Sequence, residues 1–147
     1  MISAKEKDLV LVKLSDNETV NDLQNVLETY EIKSAIVRGF GSLKVIECED
    51  KIVDAGESII EGTVSELDGK PYLDIYCHTG GATGKIKNFV ANNFILTVKV
   101  FHEIQLISRT TETGDVQLTI SNETVKMDKK ASQAAVPEKP PSSPTQE

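Results

Sequence analysis

Ile60-Glu61-Gly62-Thr63-Val64-Ser65-Glu66-Leu67-Asp68-Gly69-Lys70-Pro71-Tyr72-Leu73-Asp74-Ile75-Tyr76-Cys77-His78 is the stretch that decides the fold class. Two alternating runs flank Asp68-Gly69. A two-residue hairpin turn needs positive φ at both central residues, and Asp-Gly supplies them at low cost. The turn sets the register: Leu67 faces Lys70, Ser65 faces Tyr72, Thr63 faces Asp74, and Glu61 faces Tyr76. One sheet face then carries Ile60, Gly62, Val64, Leu73, Ile75 and Cys77, and this is the expected core face. The other carries Glu61, Thr63, Ser65, Tyr72, Asp74, Tyr76 and His78. It is polar and holds two of the chain's three tyrosines.

Working outward, Asp8 to Leu14 is apolar on both faces and reads as a buried strand. Val20, Leu23, Val26, Leu27 and Tyr30 recur at helical spacing, with Thr19 as a cap and Glu18 and Asp22 near the positive end, so a helix is placed at about 18–31. Ile32 to Gly39 predicts a strand, with a break at Phe40-Gly41-Ser42. Leu43 to Cys48 and Lys51 to Ala55 predict two more. Phe94 to Ile107 is expected to be the longest strand, with Leu96, Val98 and Val100 on one face. By the same parity His102 is expected to point inward. Val116 to Ile120 closes the set. The fold class is α+β: a twisted antiparallel sheet with one main helix on one face.

Composition bounds the rest. The chain has 147 residues, 39% hydrophobic and 27% charged, which suits one domain. No run is long and apolar enough to span a membrane. No apolar segment follows Met1, so no secretory leader is expected and a cytoplasmic location is. Composition shifts near residue 124, and four of the five prolines lie beyond it. The division is therefore a folded domain at 1–123 and a Pro/Ser/Lys-rich disordered tail at 124–147. Pro141-Ser142-Ser143-Pro144 carries a P-x-x-P spacing, a weak partner signal. The net charge is −7, and removing the tail leaves −8 on residues 1–123. An acidic body repels phosphate, which disfavours direct nucleic-acid binding.

Motifs for chemistry are sparse. Gly80-Gly81-Ala82-Thr83-Gly84-Lys85 fails as a phosphate loop: Thr79 occupies the first glycine position and Ile86 follows Lys85. It reads as a flexible turn. No G-x-S-x-G elbow is present. Two histidines, His78 and His102, fall short of a zinc site. Cys48 and Cys77 read as two reduced thiols without an activating cation. Asn17-Glu18-Thr19 and Asn122-Glu123-Thr124 match the glycosylation pattern by coincidence if no leader exists. Glu61, Tyr72, Asp74, Tyr76 and His78 remain as candidates for a ligand pocket, because a carboxylate and a histidine desolvated together can do acid–base work.

The string Ile32-Lys33-Ser34-Ala35-Ile36-Val37-Arg38-Gly39-Phe40-Gly41-Ser42-Leu43 resembles the early signature of the PPC (plants and prokaryotes conserved) domain family. Ile60 to Ser65, the Asp68-Gly69-Lys70-Pro71 turn, Tyr72 to Cys77 and Phe94 to Val100 follow in the family's order. The resemblance covers roughly residues 8–121. It implies a homotrimer. In plants the domain follows AT-hooks in nuclear DNA-binding regulators, whereas prokaryotic members stand alone. Many prokaryotic members carry a His-x-His-x-His-like strand after the turn, which suggests a metal site in them, where this chain has Tyr72, Asp74 and Tyr76. The later Gly-Gly-His position falls at Lys87-Asn88-Phe89. No AT-hook exists, and Gly56-Glu57-Ser58-Ile59-Ile60 stands where plant members carry a partner motif. No metal, cofactor or catalytic residue is therefore expected.

Three functional expectations follow. The first is a homotrimeric binding or regulatory module without catalysis, acting on a protein or small-molecule partner. The second is a small-molecule-binding protein or enzyme with a pocket between subunits built on Glu61, Asp74, Tyr76 and His78. The third is DNA regulation by family analogy.

Overall fold

The computed structural model describes residues 1–79 and 82–122. The tail expected beyond residue 123 and the Gly80-Gly81 pair lie outside the described residues. The elements run β1 (Ile2–Glu6), β2 (Leu9–Leu14), α1 (Val20–Thr29), β3 (Ala35–Cys48), β4 (Ile52–Leu67), β5 (Lys70–Thr79), β6 (Ala82–Val100), β7 (Ile104–Thr110) and β8 (Val116–Asn122). They form a twisted sheet in which every pairing is antiparallel except a single parallel contact, Glu66 with Ile107.

The Asp68-Gly69 turn forms as expected, with both residues at positive φ, and all four register pairs are observed. Other boundaries differ. β3 runs unbroken through Phe40-Gly41-Ser42, and β4 joins two predicted segments. The glycines do not interrupt β3; they let β6 approach it. A Cβ on Gly39 would stand 2.6 Å from the Phe94 ring, and one on Gly41 would collide with the Asn93 carbonyl. The longest strand is β6, which starts at Ala82, so Ala82 to Lys85 is strand and not turn. β1 carries too little apolar alternation to be read from sequence.

β6 also closes the sheet on itself. β3 pairs β4, β4 pairs β5, β5 pairs β6, and β6 pairs β3. These four strands form a ring whose interior holds Ile46, Ile60, Ile75, Cys77 and Phe89, each buried. The predicted core face of the hairpin lines this interior.

α1 packs Leu23, Val26 and Leu27 onto the same core. Fully burying each such side chain contributes about 1.5–3 kcal/mol. Its N-terminus is a capping box: Thr19 N–H donates to Asp22 Oδ2 at 2.9 Å, while the Thr19 hydroxyl accepts from Asn21 N–H. Its end is a Schellman motif. Ile32 N–H donates to the Leu27 carbonyl, Glu31 N–H donates to that of Glu28, and Glu31 takes φ 55°. Gln24 Nε2 donates to the Pro71 carbonyl at 3.0 Å, tying α1 to the start of β5.

Candidate functional site

Strand alternation aims every second residue of β1, β2, β6, β3, β4 and β5 away from the core, onto one outer sheet face. The register orders this face in rows. One row reads His78, Ile59, Phe40, Ile95, Lys13; the next reads Lys85, Tyr76, Glu61, Arg38, Thr97, Leu11; a third reads Asp74, Thr63, Ile36, Lys99, Leu9. The middle of the face is apolar. Phe40 is 66% exposed and Ile59 51%, and Phe40 has Ile59 and Ile95 as its two lateral neighbours.

All five sequence-predicted site residues lie on this face, but they form two groups and not one. In the first, Glu61 stands between Arg38 and His78. Arg38 Nε lies 3.7 Å from Glu61 Oε1, and His78 Nε2 lies 3.8 Å from Glu61 Oε2. Both contacts are solvent-exposed, and exposed pairs of this length contribute little stability. Tyr76 sits opposite Glu61 with its ring half in solvent.

The second group is Tyr72, Asp74 and Lys85. Lys85 Nζ donates to the Tyr72 hydroxyl at 2.9 Å and lies 3.4 Å from Asp74 Oδ1. That carboxylate oxygen is sealed from solvent and has no hydrogen bond among the described residues, so the ammonium is its nearest charge partner. The Lys85 pKa is raised, first by the bond to Tyr72, with burial opposing and Asp74 adding to it. Lys85 therefore stays an ammonium at neutral pH and is no amine nucleophile. The sequence reading missed Lys85, because Gly80 to Gly84 disguises the start of a strand. The alternation of Ile86, Lys85 and Gly84 against Cys77 and Tyr76 was the available signal.

No group of three metal-ligating side chains gathers among the described residues. Tyr72, Asp74 and Tyr76 do not fit a resident metal either, since Asp74 faces an ammonium that would repel one. His102 is a correction. The chain leaves the sheet after Val100, so strand parity no longer applies, and His102 is exposed. It lines a cleft of about 270 Å³ with Lys5, Tyr30 and Lys33.

No family model matches the chain, and no curated protein matches it. Solved structures do. A proposed DNA-binding protein from Ralstonia eutropha JMP134 matches at TM-score 0.69 and 17% identity, over 80% of this chain and 94% of that one. A plant- and prokaryote-conserved (PPC) protein from Pyrococcus horikoshii matches at TM-score 0.59 and 18% identity, over 77% and 91%. A metal-containing protein from Archaeoglobus fulgidus matches at TM-score 0.58 and 17% identity, over 78% and 94%. These matches show the fold: the chain has the PPC-like fold.

Proposed function

We propose that this chain is a homotrimeric binding or regulatory module without catalytic activity of its own, and that its outer sheet face is buried between copies. The observation that carries the reading is the row Ile59, Phe40, Ile95. Three large apolar side chains stand side by side in solvent across three adjacent strands. An apolar centre ringed by Arg38, Glu61 and Lys99 has the anatomy of a subunit interface, and rings of both charge signs suit self-association. The PPC-like fold supports the trimer as the assembly.

Native mass spectrometry of the full chain tests it. Wild type is expected as a trimer, and Phe40→Glu as a monomer with an unchanged far-UV circular dichroism spectrum. A monomeric wild type at micromolar concentration removes the proposal. Extra mass on the trimer would identify a ligand class.

A second reading rests on Glu61 lying between Arg38 and His78. Once desolvated between subunits, these groups with Asp74 and Tyr76 would form a pocket for a small polar molecule. Ligand binding unchanged in the Asp74→Ala, His78→Ala double variant would count against it. DNA binding is suggested by family analogy and by the name of the Ralstonia protein, and the acidic body opposes it. A gel shift at low salt decides the matter, with no retardation as the expected result.

A further inference from the structure

A closed trimer sets a condition that the row Ile59, Phe40, Ile95 does not meet alone. A twofold dimer can press one patch against the same patch of its copy, whereas a threefold ring is built head to tail and needs two different surfaces on each chain. β8 offers the second. It stands at the end of the strand order, and among the described residues β7 is its sole strand neighbour, so one of its edges is open. The alternation Val116-Gln117-Leu118-Thr119-Ile120 puts three apolar side chains on one side of β8, with Leu118 48% and Ile120 69% exposed. From Val116 to Asn122 the sequence has no charge and no proline, the usual guards of an open strand edge. β1, at the other end of the order, carries Lys5 and Glu6.

This stripe and the row lie on the same side of the sheet. Ser65 has the outward parity of β4, its hydroxyl lies 2.6 Å from that of Ser108, and Ser108 pairs with Leu118. Ile59 and Ser65 are separated by about 20 Å along β4, so the stripe of a chain stands well away from its own row. The charges beside the two surfaces are opposite in sign. Glu112 and Asp115 precede the stripe and are exposed. Lys13 ends the row beside Ile95, and Lys99 lies further along β6 on the same face. Neither lysine has an ion-pair partner among the described residues.

We propose that the β8 stripe of one copy docks on the row Ile59, Phe40, Ile95 of the next, three times round the ring. This docking rests on the trimer proposed above and supplies its second surface. Val116, Leu118 and Ile120 of one chain cover the apolar row of its neighbour, and the acidic turn ahead of the stripe faces the neighbour's side of Lys13 and Lys99. Each chain gives one stripe and receives one, which closes the ring. The chain's own tail is a poor occupant for either surface: after Met127 it has four prolines and no Ile, Leu or aromatic residue.

Native mass spectrometry of full-length variants, alone and mixed, tests the docking. Leu118→Lys breaks the stripe and is expected as a monomer with an unchanged far-UV circular dichroism spectrum. Thr119→Lys, on the other side of β8, is expected to stay a trimer. Phe40→Glu breaks the row and keeps the stripe. Mixed in equal amounts, Leu118→Lys and Phe40→Glu retain one good junction between them, so a one-to-one heterodimer is expected and no trimer. Three outcomes overturn the proposal: a trimeric Leu118→Lys beside a monomeric Phe40→Glu, which leaves the trimer standing on another surface; a mixture that stays monomeric; or dissociation by Thr119→Lys. A monomeric wild type overturns the docking together with the trimer. Should Leu118→Lys fold poorly, Ile120→Lys reads the same stripe from its most exposed position.

Discussion

Lys85 engages Tyr72 twice: its ammonium donates to the hydroxyl at 2.9 Å and stands 5.5 Å from the centre of the same ring. The same ammonium is the nearest charge partner of Asp74 Oδ1. Lys85→Met removes all three interactions and leaves the carboxylate facing no cation. We expect a loss of about 1 kcal/mol in urea unfolding, discounted because the lysine is over a third exposed. Adding Asp74→Asn should recover part of that loss. A double-mutant cycle with no coupling would show that the pair contributes nothing.

Gly62 is required by its neighbour. A Cβ there would drive into the carbonyl oxygen of Asp74 across the hairpin, while a Cβ on Gly69 meets nothing within 4 Å. Gly62→Ala should therefore cost about 2–3 kcal/mol. Gly69→Asn, at φ 82°, should cost under about 1 kcal/mol, because asparagine tolerates the left-handed region. Equal midpoints in denaturant for the two variants would contradict the close approach.

The helix end offers a gain. Glu31 holds the left-handed position of the Schellman motif, where glycine carries no Cβ penalty. Glu31→Gly should raise stability by about 0.5–1 kcal/mol, with the far-UV spectrum unchanged. Glu31→Ala should show no such gain.

Alkaline pH should weaken the fold. Cys77 and Lys85 both have folded-state pKa values raised above their unfolded ones. A raised group contributes stability that is complete below its unfolded pKa and is lost as pH rises toward the folded one. Loss should begin above about pH 8.5–9 through Cys77 and continue above about pH 10.4 through Lys85. Thermal melts from pH 7 to 11 would read this decline. Cys77→Ala should remove its first part, and a flat wild-type profile would refute the linkage.

What the sequence made legible was local. Asp68-Gly69 fixed a hairpin and its register, because a two-residue turn leaves no freedom. The spacing from Val20 to Tyr30 marked α1, because a helix repeats within a few residues. Phe40-Gly41-Ser42 misled because a glycine that admits a neighbouring strand looks the same as one that ends its own. His102 misled because parity holds only while the strand continues. Glu61, Tyr72, Asp74, Tyr76 and His78 were placed correctly on one face, since alternation is short-range. Their division into two groups was not visible, since it depends on Arg38 from β3 and Lys85 from β6. The closing of β3, β4, β5 and β6 into a ring depends on β6 pairing both β3 and β5, which no local pattern encodes.

The pairing of β6 with β2, β3 and β5 also has a consequence in time. Among the described residues β2 pairs with β1 and β6 alone, and the pairing of Leu9 with Lys99 joins residues ninety positions apart. During synthesis β3, β4 and β5 can assemble as a meander, yet β3, which pairs β6 out to Val100, and β4, which meets β7 at Ile107, cannot complete their pairings until those residues have left the ribosome. Such high contact order favours slow folding. Until then the apolar residues of β2 have no strand beyond β1 to lie against. That makes the nascent chain, more than the finished protein, the state that depends on chaperones.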